Sequence, residues 1–116
     1  IQVGAGAIYN TIQNTVANTP IHLQYNNSGD IKCNEGGGDL RTNDIIPHTN
    51  NSANLGSNTR RWANIHTNDL NLSNEGNLNE IDGTWGQYTI QEGESDLFLI
   101  NRRSGKRYKF LLQEVD

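Results

Sequence analysis

"GQYTIQEGESDLFLINRRSGKRYKFLLQEV", residues 86–115, carries the clearest strand pattern in the chain. It contains three runs with strand-like alternation, "GQYTIQ", "SDLFLIN" and "KRYKFLLQEV", which are joined by the turn-like runs "EGES" and "RRSG". Strand-forming runs separated by short turns of this kind are typical of β-hairpins. We therefore predict a small antiparallel three-stranded meander over residues 83–116.

The predicted meander has more apolar side chains than a single covered face requires. Tyr108, Phe110 and Leu112 share one face of the last strand, and Tyr88 and Ile90 share one face of the first. The middle strand is apolar on both faces, and a strand of that kind needs cover on two sides. The pattern therefore predicts that a partner chain packs against the sheet.

The composition of the whole chain also favours an oligomer. Only 33% of the 116 residues are apolar, whereas an average globular domain has roughly 45–50%. One chain therefore has little apolar surface with which to offset the entropy lost on folding. Cys33 is the only cysteine, which excludes an internal disulfide. We expect association between chains to supplement the core.

Neither end of the sequence has the features of a targeting segment. The chain contains no methionine, so we expect it to be a fragment of a longer polypeptide. No charged stretch followed by an apolar one resembles a signal peptide, and no run approaches the roughly 18–20 apolar residues of a membrane span. We expect no membrane insertion.

The middle of the chain, residues 30–82, consists of short units that begin with an acidic and an aliphatic residue. These units are "DIKCN" at 30–34, "DLRTN" at 39–43, "NDII" at 43–46 and "NDLNLSN" at 68–74. Asn, Gly or Pro follows each unit, and Asn occupies 18 of the 116 positions, which favours tight corners between short strands. Three chains wound around one axis would accommodate such an irregular repeat. We predict a short-stranded shaft.

Residues 1–29 contain no Asp, Glu, Lys or Arg. An uncharged stretch of this kind can pack on the shaft, between subunits. A flexible linker rich in Asn and Thr is an equally good interpretation.

Charged residues of the last zone offer two further interpretations. Five of the nine basic residues lie near its end: Arg102, Arg103, Lys106, Arg107 and Lys109. They can bind phosphate, but cross-strand charge pairing is favoured. The acidic net charge of −4 argues against nucleic-acid binding.

Glu92, Glu94 and Asp96 alternate, so an extended chain would place all three on one face. A glycosidase needs two carboxyl groups about 5–10 Å apart in a cleft. A groove between subunits would be needed to build such a cleft here, and we keep this hydrolase reading as a minor alternative.

Metal and cofactor sites are not predicted. His22, His48 and His66 are widely separated, and no His-x-His or Cys-x-x-Cys pair occurs. One histidine per chain on a threefold axis would still make a site, but surface roles are more common. No motif indicates a cofactor or a catalytic nucleophile.

The stretch "NLGSNTRRWANIHTNDLNLSN", residues 54–74, carries a family resemblance. It resembles the Leu-Gly-Ser-x-x-x-Arg-Trp-x-x-Ile segment of tail-fibre and tail-spike proteins of tailed bacteriophages. Residues 75–115 are similar to the end of tail fibres from phages of marine bacteria, especially cyanophages. Together these similarities cover roughly residues 44–116.

The resemblance implies an all-β fold: a short-stranded, intertwined homotrimeric fibre, β-helix- or β-prism-like, that ends in the three-stranded meander. The implied function is that of a structural, non-enzymatic virion protein, assembled in the host cytoplasm, which serves host attachment. Its implied partners are two further copies of the chain, other tail or fibre proteins and a host cell-surface receptor such as a glycan. A fragment of a carbohydrate-degrading tail spike and a baseplate or neck adaptor with the same motif remain alternatives.

The motif makes physical sense as a corner at the trimer interface. Gly56 allows a positive φ, Trp62 offers a large apolar surface, and Arg60 or Arg61 can stack on a ring or pair with an acid. We expect the corner and trimer anchors to be Leu55, Gly56, Arg61, Trp62 and Ile65. We expect surface contacts from Arg102, Arg103 and Lys106.

Overall fold

The computed structural model describes residues 15–19, 21, 31, 33 and 36–116. The chain divides into two compact units, Ile1–Ala53 and Asn54–Asp116. Most of the uncharged segment at residues 1–29, and with it the choice between a packed segment and a linker, lies outside the described residues. The unit "DIKCN" lies partly outside them as well.

In the first unit, the described backbone of residues 36–53 is irregular, with a few turns and bends. "DLRTN" and "NDII" form no strand within the single chain. Strands that pair with neighbouring subunits remain a prediction for these two segments. Leu40, Ile45 and Ile46 are exposed by 62%, 75% and 80%. The aliphatic side chains of "DLRTN" and "NDII" are therefore available to pack against another surface.

The second unit contains an antiparallel sheet of four strands. They are β1 (Leu70–Ser73), β2 (Gln87–Glu92), β3 (Leu97–Asn101) and β4 (Arg107–Lys109), and the order in the sheet follows the chain. No helix occurs in the described residues. The all-β prediction is confirmed, but the meander has one strand more than predicted, because Leu70–Ser73 pairs with β2.

Two tight turns join the last three strands. Residues 93–96 connect β2 to β3, with the Gly93 N–H donating to the Asp96 carbonyl at 2.8 Å. Between β3 and β4, the Asn101 side-chain oxygen accepts hydrogen bonds from the N–H groups of Arg103 and Ser104. Gly105 follows with φ of 76°, a conformation that favours glycine. The turns thus lie at the two polar runs predicted from the sequence.

Strand β1 reaches β2 through the irregular loop 74–86. Asn74 closes its base: its N–H donates to the Gly86 carbonyl, and its side-chain oxygen accepts from the Gly86 N–H at 2.8 Å. Strand pairing continues from this closure, with Ser73 opposite Gln87 and Leu70 opposite Ile90. The register of the extra strand therefore follows from one asparagine at the end of β1.

The two faces of the sheet differ in polarity. Because side chains alternate along each strand, the register assigns seven apolar side chains to one face, here called the apolar face: Leu70, Leu72, Tyr88, Ile90, Leu97, Leu99 and Tyr108. The opposite face, here called the mixed face, carries both polar and apolar side chains: Asn71, Ser73, Gln87, Thr89, Gln91, Phe98, Ile100, Arg107 and Lys109. Tyr88 and Ile90 share a face, as predicted.

Among the described residues, no apolar side chain is buried, and the only buried residue is Thr89, at 1% exposure. All five residues of β3 are half-buried. A single chain thus forms the hydrogen-bonded sheet but leaves both of its faces partly open.

Candidate functional site

The first candidate site is the corner at residues 54–65. Gly56 has φ of 79°, and the next residues form a turn in which the Ser57 N–H donates to the Arg60 carbonyl at 3.0 Å. The Arg60 N–H donates to the Ser57 hydroxyl at 3.1 Å. The Arg61 guanidinium donates to the Asn58 carbonyl at 2.9 Å. Arg61 therefore stabilises the corner within its own chain.

A glycine is required at position 56 for two reasons. The positive φ disfavours other residues, and a Cβ there would lie 3.1 Å from the Arg60 carbonyl oxygen and 3.4 Å from the Trp62 ring. The Trp62 indole therefore lies against the glycine backbone. This contact gives a physical role to the glycine and tryptophan of the motif.

The corner brings all five expected anchors together around a groove of about 600 Å³. The groove is lined by Asn54, Leu55, Gly56, Ser57, Asn58, Arg61, Trp62 and Ile65. Its apolar members remain open: Leu55 is 75% exposed, Trp62 63% and Ile65 70%. The arrangement can bind an apolar side chain or segment supplied from outside the corner.

Of the three residues expected at the surface, the two arginines bond to other parts of the second unit. Arg103 stacks on the Trp85 ring, with the guanidinium carbon 3.7 Å from the ring centroid, and donates to the Trp85 carbonyl at 2.8 Å. The Nε of Arg102 donates to the Thr89 hydroxyl at 3.0 Å. Lys106 is exposed, and its backbone carbonyl closes the β3–β4 turn by accepting from the Asn101 N–H.

Charge pairing is weaker in this region than the sequence predicts. One ion pair is present among the described residues, Lys109 to Asp96 at 3.8 Å, and both side chains are more than 40% exposed. A pair of this kind contributes little to stability. Stacking and hydrogen bonding by Arg102 and Arg103 take the place of the expected cross-strand pairs.

The three acidic residues considered for hydrolysis do not lie along one extended face. Glu92 ends β2, whereas Glu94 and Asp96 belong to the turn 93–96, which reverses the chain. Glu92 and Glu94 are exposed, and Asp96 contacts Lys109. The expectation from alternate spacing is wrong here, because a four-residue turn interrupts the extended backbone.

The structure adds one cluster that the sequence reasoning missed, in loop 74–86. The Asp82 carboxylate accepts three hydrogen bonds, from the Thr84 hydroxyl and N–H and from the Asn79 amide. These bonds, that of the Thr84 hydroxyl first, lower the pKa of Asp82 below its ordinary value. The Asn79 carbonyl oxygen in turn accepts from the N–H groups of Ile81 and Asp82. Asn and Asp two or three residues ahead of their donors are the signal of such turns.

A cavity of about 480 Å³ lies beside this cluster. It combines two aromatic side chains, Trp85 and Tyr88, with the polar groups of Asn74, Asp82 and Thr84. Most of those polar groups already form hydrogen bonds within loop 74–86, so their role is to hold the loop in shape.

Other site types find no support in the described part of the chain. No group of three or more His, Cys, Asp or Glu residues there is placed to hold a metal ion. His48, His66 and Cys33 are exposed, and His22 lies outside the described residues. Within the same residues, no helix is long and apolar enough to span a membrane.

Comparison of the chain with protein-family models, curated proteins and solved structures gives no match. A proposal of function therefore has to rest on the sequence and on the geometry of the described residues.

Proposed function

We propose that this chain is part of the tail fibre of a tailed bacteriophage, a structural, non-enzymatic component of the virion that forms a homotrimer and serves host attachment. The corner motif at residues 54–65 and the similarity of the following residues are the basis for the family. The geometry adds support for an obligate association of chains.

The observation that carries the proposal is the absence of a buried apolar side chain in the described residues, although four strands pair into one antiparallel sheet. Ordering a residue costs about 1–2 kcal/mol in backbone entropy, which apolar burial has to offset. A small sheet needs a covered apolar face to be stable. In a fibre, neighbouring subunits supply that cover.

The corner supports the same conclusion. Arg61 bonds to Asn58 within the corner, whereas Leu55, Trp62 and Ile65 present exposed apolar groups around one groove. Exposed large apolar groups clustered in one place are typical of interaction surfaces. We infer that these three residues contact a neighbouring subunit.

The experiment is to measure the mass of the purified chain by light scattering at two concentrations. We expect three times 12.9 kDa at both concentrations. A stable monomer would contradict the proposal. A glycan-release assay on host envelope polysaccharide then separates a non-enzymatic fibre from a polysaccharide-degrading spike, since released product would contradict the non-enzymatic function.

A further inference from the structure

We propose that the apolar face of the sheet is the surface through which three copies of this chain meet, with the mixed face turned away from the contact. This inference rests on the proposed homotrimer and adds to it the face that each subunit contributes. The corner groove is a separate surface, on residues that precede the sheet.

Hydrogen bonds join several polar side chains of the mixed face to one another. The Thr89 hydroxyl donates to the Asn71 side-chain oxygen at 2.7 Å and accepts from Arg102 at 3.0 Å, so one chain of bonds crosses from β1 to the end of β3. Next to it, the Gln91 amide donates to Asp69 at 3.1 Å. These contacts bury Thr89 and satisfy the polar groups around it. The mixed face therefore needs no partner to complete its hydrogen bonding.

On the apolar face the Asn101 amide donates to the Tyr88 hydroxyl at 3.3 Å, but the aliphatic side chains of this face have no cover. Its central row crosses all four strands as Leu70, Ile90, Leu99 and Tyr108, directly opposite one another in the register. Leu70 and Tyr108, at the two edges, are each 47% exposed, and the neighbouring Leu72 is 48% exposed. An apolar strip that runs the full width of the sheet is the surface that gains most from being covered.

Charge favours a second copy as the occupant of this face. Around a rotation axis, equivalent faces approach one another, so a charge near the centre would meet the same charge. On the apolar face the register places one charged residue, Glu92, at the last paired position of β2. The mixed face instead carries Arg102, Arg107 and Lys109 together with Asp69, which bonds to Gln91, and Asp96, which pairs with Lys109. Packing two mixed faces together would remove these charges from water at a cost, which self-association through the apolar face avoids.

Cross-linking tests the assignment, because β1 offers adjacent positions on opposite faces. In a Cys33→Ser background, Leu72→Cys places a thiol on the apolar face and Ser73→Cys places one on the mixed face. Both positions are exposed in a single chain. With a short bis-maleimide reagent, we expect Leu72→Cys to give covalent dimers and trimers at least fivefold more efficiently than Ser73→Cys. Equal yields, or a higher yield from Ser73→Cys, would overturn the assignment.

A second pair of variants tests the energetics. Leu72→Gln replaces an apolar-face residue, and Ile81→Gln makes the corresponding change in loop 74–86, at a side chain that is 94% exposed. We expect Leu72→Gln to weaken association about tenfold or more, since it removes from each of three chains a leucine that the proposed contact would bury, and Ile81→Gln to stay within about twofold of the unchanged protein. Circular dichroism shows whether the sheet persists in each variant. If Leu72→Gln unfolds, the cross-linking comparison still decides.

The two proposals fail in different ways. An unchanged chain that is monomeric in light scattering contradicts the homotrimer itself. A stable trimer that cross-links through Ser73→Cys, or that tolerates Leu72→Gln as well as Ile81→Gln, leaves the homotrimer standing and overturns only the choice of face.

Discussion

Asp82 shows how a single side chain fixes an irregular segment at the residue scale. Its carboxylate takes three hydrogen bonds within six residues of chain, and the Asn79 side chain takes two more. Both residues are exposed, so neither contributes through burial. The loop that brings β1 to β2 is thus shaped by short polar side chains in place of an apolar core.

The lowered pKa of Asp82 predicts a local acid transition in this loop. A carboxyl group whose pKa is lowered by folding stabilises the folded form above its ordinary pKa, about 3.9, and that contribution is lost as the pH falls through the lowered value. We expect the Thr84 amide resonance to titrate with a midpoint below 3.9 in NMR spectra. Asp82→Asn should abolish the titration. A midpoint at or above the ordinary aspartate value would contradict the role of these hydrogen bonds.

Gly56 is the second position where one residue decides local structure. We expect Gly56→Ala to lower stability by about 1–2 kcal/mol for the positive φ alone, and by more because the new Cβ would approach the Arg60 carbonyl and the Trp62 ring. Gly76→Ala is the matched control, since Gly76 has φ of 88° and open space around its Cβ position. Chemical denaturation measures both variants.

The difference between the two glycine variants isolates the cost of placing a Cβ against the Arg60 carbonyl and the Trp62 ring. If Gly76→Ala costs as much as Gly56→Ala, the backbone conformation accounts for the whole effect and these two contacts contribute nothing.

At the scale of elements, the sheet is held together by a polar bridge as well as by its ladders. Thr89 lies on β2 and joins Asn71 of β1 to Arg102, the residue after β3. Because it is the one buried residue in the described part of the chain, it occupies the position where a core side chain would be expected.

The hydrogen bonds of Thr89 predict that removing its hydroxyl group alone destabilises the sheet. Thr89→Val keeps the shape of the side chain but leaves the Arg102 Nε and the Asn71 oxygen without their partner, and we expect a loss of about 1–3 kcal/mol. Thr67→Val is the control, because the Thr67 hydroxyl donates to the Asp69 carbonyl at an exposed site. Urea denaturation compares the two. Similar midpoints for both variants would mean that water replaces the lost partners.

The elements also show where sequence reasoning succeeds and where it stops. β2, β3 and their turn are local in sequence, so alternation and turn residues place them within one or two residues. The pairing of β1 depends on Asn74 bonding to Gly86, twelve positions further along the chain, which no periodicity reveals. β4 ends at Lys109, although the apolar pattern continues, because a strand needs a partner as well as a pattern.

Some contacts of the candidate site can likewise be predicted from the sequence, and others cannot. The corner residues were identified from a contiguous motif, and they do come together around one groove. The stacking of Arg103 on Trp85 joins residues 18 positions apart through the sheet register, so it could be found only from the structure.

At the scale of the whole molecule, the described residues form a hydrogen-bonded sheet without a buried apolar core. In the proposed trimer, folding and association therefore depend on the same apolar contacts. Stability then depends on chain concentration, as it does for oligomers that have no stable monomer. We expect the melting temperature of the unchanged protein to rise as its concentration is raised from micromolar levels.

Trp62 tests whether the corner takes part in that coupling. If it is an anchor between subunits, Trp62→Ala should remove about 2 kcal/mol or more of association free energy per chain, which lowers the melting temperature and makes it more dependent on concentration. Ile81→Ala is the control, since it removes an exposed side chain that does not line the corner groove. Calorimetry over a tenfold range of concentration measures both. If Trp62→Ala assembles with an unchanged melting temperature, then Trp62 packs only against its own corner, and the apolar face of the sheet must supply the association by itself.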